Sequence, residues 1–69
     1  AELFERLRAL RKRIATEATV PPYVVFSDAA LRAMCLARPK TEEQFLEVQG
    51  VGKVKLERYG EEFLREINA

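Results

Sequence analysis

The sequence predicts an all-α fold, a compact bundle of five short helices in one domain over residues 1–69. Apolar residues recur at spacings of three and four, which is the periodicity of amphipathic helices. No segment alternates apolar and polar residues as a half-buried strand does, because the β-branched run near residue 24 is broken by prolines. With 48% hydrophobic and 33% charged residues, the chain has a globular composition.

The first helix is predicted over residues 2–17. Leu3, Leu7, Leu10 and Ile14 form one apolar stripe on it. A proline-rich loop, VPPYVVF at 20–26, then ends the helix, because each proline removes a backbone donor and restricts the residue before it.

Capping residues mark the next two helices. Ser27 is a favourable N-cap for the second helix, which Pro39 should stop by residue 37 or 38. Thr41 and Gln44 have the spacing of a capping box, and the third helix that they open is predicted to end at Gly50.

A glycine turn, Gly50-Val51-Gly52, leads into the rest of the chain. It predicts a fourth helix over Lys53–Tyr59. Gly60 is expected to kink or cap that helix before a fifth one, Glu61–Asn68.

Composition excludes several kinds of chemistry. The chain has no histidine and one cysteine, Cys35, so neither a histidine-based nucleophile nor a disulfide framework can form. No apolar run approaches the roughly 20 residues that span a bilayer. We therefore expect a soluble intracellular module that is not an enzyme. The net charge is only +1. We therefore expect any binding of nucleic acid to occur through a local basic patch and to be weak and salt-sensitive.

The glycine turn is the first candidate site. An apolar helix, a Gly-Val-Gly turn and a basic helix start, with Lys53 and Lys55, resemble a helix-hairpin-helix motif that holds a phosphate on backbone N–H groups. Alternatively, Gly50 only caps a helix and Gly52 only permits close packing.

Tyr23 and the basic first helix form the second candidate site. An aromatic ring on a proline-stiffened loop is a stacking platform for an unpaired base, although Tyr23 could equally pack sideways on the bundle. Arg8, Arg11 and Lys12 could follow a nucleic-acid backbone, or they could belong to a solvated face that nearby glutamates neutralise.

An acidic surface is the third candidate. Glu42, Glu43 and Glu47 can be ordinary solvated residues, two of them at a helix start where the dipole favours carboxylates. Their number also fits a face that docks on a basic domain of the same protein.

Taken together, VPPYVVFSDAAL after a basic helix and GVGKVKLERYG before the last helix resemble the HRDC domain (helicase and RNase D C-terminal). The resemblance covers essentially the whole chain and is strongest to the bacterial RecQ helicase branch. It implies an accessory domain whose DNA contacts involve the loop tyrosine, here Tyr23, and the first helix, here Arg8, Arg11 and Lys12. The glycine turn matches too, with a role that can be structural.

Two functional hypotheses follow from the resemblance. The first is an accessory DNA-binding module of a RecQ-type helicase that tunes the binding of single-stranded or branched DNA in recombination and repair. The second is an interaction module whose acidic surface docks on other domains of the helicase. Both imply no cofactor here, with ATP and Mg²⁺ confined to the parent motor. Both also imply a monomer in isolation and a cytoplasmic, nucleoid-associated protein.

Overall fold

The computed structural model describes residues 2–69, and within that range it is all-helical with no strand. This confirms the predicted fold class, and the number of helices is five as predicted, although the chain is divided among them differently. The helices in chain order are α1 (Glu2–Ala18), α2 (Pro22–Val25), α3 (Asp28–Ala37), α4 (Glu42–Leu46) and α5 (Gly52–Ile67). Helix α1 agrees with its prediction to one residue, and its apolar stripe is buried as expected.

The proline-rich segment differs from the expected loop because it contains the one-turn helix α2. Pro21 precedes it in an extended conformation, and Pro22 is its first residue. Proline is tolerated at a first helical position, where no intrahelical partner exists for the missing N–H. The two prolines thus end α1 and also start α2. Val25, the last residue of α2, is fully buried.

The predicted caps of α3 and α4 are both present. The Ser27 hydroxyl accepts a hydrogen bond from the Ala30 N–H, and the Thr41 hydroxyl accepts one from the Gln44 N–H, each at 3.1 Å. The return bond of the capping box is shifted, because the Gln44 side chain accepts from Lys40, one residue before the cap.

The predicted end of the third helix at Gly50 is wrong, since α4 ends at Leu46. Turns follow in which the N–H of Val48 donates to the Phe45 carbonyl and that of Val51 to the Val48 carbonyl. These tight bonds reverse the chain towards α5. Gly50 has a φ of +91°, and an added Cβ there would lie 2.9 Å from the Cβ of Ala30. The turn therefore needs glycine for both its backbone conformation and its packing.

The predicted fourth and fifth helices are one continuous helix, α5, and Gly60 lies within it instead of capping it. Gly60 is buried, and a Cβ at this position would meet the end of Leu56 and lie 3.7 Å from the Phe45 ring. The short contact of an added Cβ would thus be with Leu56 of α5 itself, and its distance from Phe45 of α4 is an ordinary van der Waals contact. A feature expected to break the helix is thus a site of helix–helix contact.

Phe26 is the centre of the core. Its ring makes edge-to-face contacts with Phe45, Tyr59 and Phe63, with centroids 4.8–6.1 Å apart. Such pairs contribute about 0.5–1.5 kcal/mol each beyond their buried area. The residue that follows α2 is therefore fixed by side chains of both α4 and α5.

Two ion pairs join the first and last helices on the surface. Arg6 pairs with Glu66 at 2.9 Å and Arg13 with Glu62 at 2.8 Å, so the two helices run antiparallel. The hydrogen bond from Arg13 to Glu62, together with the charge of that carboxylate, raises the pKa of the Arg13 guanidinium above its ordinary value.

Candidate nucleic-acid interface

Tyr23 is held at the surface on α2. It is 70% exposed, whereas Val25 on the same helical turn is fully buried. Pro21 and Pro22 restrict the backbone immediately before it. The tyrosine therefore extends from a short, anchored element with little conformational freedom to lose on binding.

Arg11, predicted as a DNA contact, lies almost entirely inside the protein. Its guanidinium donates to the backbone carbonyl of Phe26 at 2.9 Å and pairs with an Asp28 carboxylate oxygen at 2.8 Å. These bonds join α1 to the junction between α2 and α3. The geometry gives Arg11 a positioning role for the segment that carries Tyr23.

The charge of Asp28 is coupled to Arg11. The hydrogen bond from Arg11, followed by the positive charge of the same side chain, lowers the pKa of the Asp28 carboxyl below its ordinary value. More distant attraction by Arg32 and Arg8 acts in the same direction. The carboxylate therefore lies in a positive field that three arginines create.

Arg8 and Lys12 are exposed on either side of the buried Arg11 along α1. Arg8 approaches Glu5 at 3.7 Å, a distance typical of a weak surface pair. Lys12 makes no ion pair with any of residues 2–69. Both side chains are therefore available to an anion on α1, the helix against which α2 packs, with little competition from carboxylates of the described chain.

Arg32 of α3, which the sequence does not single out, lies near Arg8 beside the Phe4 ring. Its guanidinium carbon lies 5.6 Å from the centre of the Phe4 ring, and that of Arg8 lies 6.0 Å from the same ring. The i,i+4 spacing of Asp28 and Arg32 on α3 is the signal that could have revealed it. Arg32 adds a further exposed cation that is not ion-paired within the described chain.

The two lysines of the glycine turn are separated. Lys55 lies near the Phe26 ring, with its Nζ 5.6 Å from the ring centre, and so reaches the junction after α2. Lys53 is exposed in the first turn of α5, two positions away, and residues two apart on a helix do not share a face. The structure thus places Lys55, but not Lys53, beside the Tyr23 segment.

The acidic candidates lie on or next to α4. Glu42 and Glu43 occupy its first turn and Glu47 is its C-terminal cap residue, all three exposed. None of them is ion-paired within residues 2–69. Over the same residues, no cluster of potential metal ligands is present and no helix is long and apolar enough to cross a bilayer.

Comparison with known proteins identifies the family. The family model for the HRDC domain matches residues 1–67. The chain belongs to the HRDC family. HRDC domain 3 of a Deinococcus radiodurans RecQ superposes with a TM-score of 0.92 at 39% identity, covering 96% of this chain and 87% of that one.

Relatives of this HRDC domain are DNA helicases. It is 52% identical over 68 residues to the ATP-dependent DNA helicase RecQ of Bacillus subtilis, a match covering 99% of this chain but 12% of that helicase. It is 38% identical over 64 residues to the ATP-dependent DNA helicase UvrD2 of Mycobacterium tuberculosis, covering 93% of this chain and 9% of the helicase. The chain thus spans about a tenth of each protein.

Membership confirms the resemblance found in the sequence. It also confirms that this chain is an auxiliary domain and not an enzyme in itself. The predicted site residues stay predictions, and the structure separates them into three groups. Tyr23 lies on α2, Arg8 and Lys12 lie on α1, which packs against α2, and Lys55 lies beside Phe26, the residue after α2. Arg11 is buried at that junction, and Lys53 and the glutamates lie elsewhere on the surface.

Proposed function

We propose that this HRDC domain is an accessory DNA-binding module of a RecQ-type helicase that contacts single-stranded or branched DNA. An unpaired base stacks on Tyr23, while Arg8, Lys12 and Lys55 attract the phosphates on either side. Arg11 holds the segment in place from below. We define Tyr23, Arg8, Lys12 and Lys55 as the Tyr23 surface.

The observation that supports this proposal is an exposed tyrosine on an anchored helix that packs against α1, whose exposed cations Arg8 and Lys12 have little internal pairing. Tyr23 is 70% exposed and Lys12 has no carboxylate partner within the described chain. Base–aromatic stacking contributes about 1–3 kcal/mol per base and tolerates any sequence. A few phosphate contacts add a salt-dependent attraction, so binding is weak and suits a module that assists a motor.

A titration of fluorescein-labelled oligothymidylate with this domain tests the tyrosine. Tyr23→Ala should weaken binding at least about fivefold, because it removes the stacking platform, whereas Tyr23→Phe should retain most of the affinity. Val54→Ala, which shortens another exposed side chain, serves as the control. Equal affinity of the wild type and Tyr23→Ala would remove Tyr23 from the interface.

A salt series tests the cations. Lys12→Ala should reduce the slope of log affinity against log salt concentration by about 0.7, the value for one lost phosphate contact on a single strand. Lys40→Ala is the matched control, because Lys40 is also exposed and unpaired among residues 2–69 but lies two residues before α4. Identical slopes for the two variants would argue against a contact at Lys12.

A second candidate function is docking of the acidic surface, Glu42, Glu43 and Glu47, on another domain of the same helicase. The specific observation is the uneven distribution of ion pairs. The glutamates of α1 and of the second half of α5 that have an arginine partner are Glu2, Glu5, Glu17, Glu61, Glu62 and Glu66. The three on or beside α4 have none within the described chain.

Charge reversal tests the docking function in the full-length helicase. Glu43→Lys and Glu47→Lys should change DNA binding or unwinding without changing the thermal stability of this domain. Glu57→Lys is the control, because Glu57 is also exposed and unpaired in the described chain but lies on α5. Equal activities of all three variants and the wild type would exclude a docking role.

The proposed role as a helicase module also implies where ATP is used and where the protein is located. ATP and Mg²⁺ are used by the motor domains of the parent helicase, and this domain contributes affinity and substrate choice in recombination and repair. We place it in the cytoplasm, associated with the nucleoid.

A further inference from the structure

An open groove lies between the first turns of α1 and the C-terminal half of α3, and none of the four residues of the Tyr23 surface lines it. It encloses about 720 Å³. Its apolar lining includes Phe4, Cys35 and Leu36, and its charged lining includes Arg32 and Arg38. Ligand sites commonly have volumes of about 300–1,000 Å³. The groove therefore has room for a few side chains, not for a folded domain.

Leu36 is the unusual apolar residue of the groove. It is 88% exposed, the highest fraction among the large apolar side chains that lie at the surface. A solvated leucine gains about 1.5–3 kcal/mol when it is fully buried. Its position inside a concave surface makes it a natural contact for an apolar group of a partner.

Two of the three arginines that line the groove, Arg32 and Arg38, form no ion pair with a carboxylate of residues 2–69. Glu2 and Arg6, which also line the groove, are paired with each other, and Arg6 is paired more closely with Glu66. Arg32 and Arg38 therefore give the groove positive charge that no ion pair within the described residues neutralises. Guanidinium groups bind carboxylates through paired hydrogen bonds, which favours an acidic partner.

Arg38 occupies a backbone position that usually selects glycine. It caps α3 in the left-handed conformation, with a φ of +45°. Glycine adopts this conformation without steric cost. Because nothing in the helix end itself requires arginine, its side chain is free to serve a contact in the groove.

We propose that this groove binds a short acidic peptide segment, with one apolar side chain on Leu36 and flanking carboxylates on Arg32 and Arg38. Single-stranded DNA fits the lining less well. The aromatic ring, Phe4, is already engaged by the guanidinium groups of Arg32 and Arg8, and the exposed apolar contact is aliphatic. A base thus lacks a free ring on which to stack, whereas an aliphatic or aromatic peptide side chain fits against leucine.

Fluorescence anisotropy with a fluorescein-labelled peptide tests the proposal. The probe is a short peptide of Asp, Glu and Ser with a single central Leu. Wild-type protein should bind it, and replacing its Leu by Ser or its acids by amides should weaken binding at least about fivefold. No binding of the acidic probe at about 1 mM protein, or equal binding of all three peptides, would overturn the proposal.

Two substitutions that should not destabilise the domain test whether the peptide binds in the groove. Arg38→Gly removes the guanidinium and suits the left-handed backbone, and Leu36→Ser changes a side chain that is already solvated. Each should weaken peptide binding at least about fivefold. Arg58→Gln and Leu46→Ser are matched controls outside the groove and should bind like the wild type. Equal weakening by variants and controls would contradict the assignment.

Cys35 provides a second readout, because it lines the groove and is the single cysteine of the chain. The acidic probe should slow the reaction of its thiol with a disulfide reagent, and Tyr23→Ala should leave this protection unchanged. Protection by oligothymidylate instead of the peptide would assign the groove to DNA. Protection that rises with protein concentration alone would assign it to a second copy of the chain. Either result would refute the peptide proposal independently of the Tyr23 surface.

Discussion

Replacing Arg11 by methionine removes the guanidinium that joins α1 to the α2–α3 junction and keeps an unbranched side chain in its place. The lost group donates to the Phe26 carbonyl at 2.9 Å from a buried position. A hydrogen bond from a charged donor contributes about 1.5–3 kcal/mol, and the carbonyl is left without this partner. We expect Arg11→Met to lower the free energy of unfolding by about 2 kcal/mol. For a domain of this size, that change lowers the Tm by about 8–16 °C.

Urea unfolding followed by circular dichroism measures this loss, with Arg8→Met as the matched control. Arg8 lies one turn earlier on α1, is exposed, and approaches Glu5 at 3.7 Å. Exposed pairs of this kind contribute about 0–1 kcal/mol, so the control should lose less than half as much stability. Equal losses in the two variants would show that the buried contacts of Arg11 do not stabilise the junction.

Two further predictions concern the glycine residues and the dependence of stability on pH. In thermal unfolding, Gly60→Ala should change stability by less than about 0.5 kcal/mol, Gly52→Ala should lower it by about 1 kcal/mol, and Gly50→Ala by about 2–3 kcal/mol. The order holds because a Cβ at Gly60 would meet only the movable end of Leu56, a cost that the higher helix propensity of alanine offsets. Gly52 needs only its positive φ, whereas at Gly50 a Cβ would also clash with Ala30. Equal effects would refute this order. Asp28 has a pKa lowered from 3.8, so its charge stabilises the fold above that pH, and the contribution disappears as the pH falls through the folded-state pKa. Asp28→Asn should therefore flatten the dependence of Tm on pH below about 4, and an unchanged slope would contradict the coupling to Arg11.

Local patterns in the sequence predicted the features that depend on local contacts. The leucine stripe located α1 to within one residue, and Ser27 and Thr41 were identified as caps, because a cap binds a backbone N–H only three residues away. The HRDC resemblance likewise depends on short motifs at fixed positions. These interactions need no knowledge of how the helices pack.

Features that depend on distant contacts were misjudged. Gly60 was expected to interrupt a helix, since nothing near it in sequence shows that Phe45 of α4 packs against it. Arg11 was grouped with exposed cations, and its burial depends on the Phe26 carbonyl and Asp28, 15 and 17 residues further on. The helical turn at Tyr23 was missed because two prolines were interpreted only as a break.

The antiparallel pairing of α1 with α5 has a consequence for synthesis. Arg6 and Glu66 are separated by 60 positions, so α1 leaves the ribosome long before the helix on which it packs. Until α5 has emerged, the leucine stripe of α1 has no α5 to pack against. Contacts between distant segments also form late, because the chain between them must first close into a loop. This small unit therefore folds as a whole once it has emerged, and a nascent chain stalled before α5 would expose the stripe to chaperones.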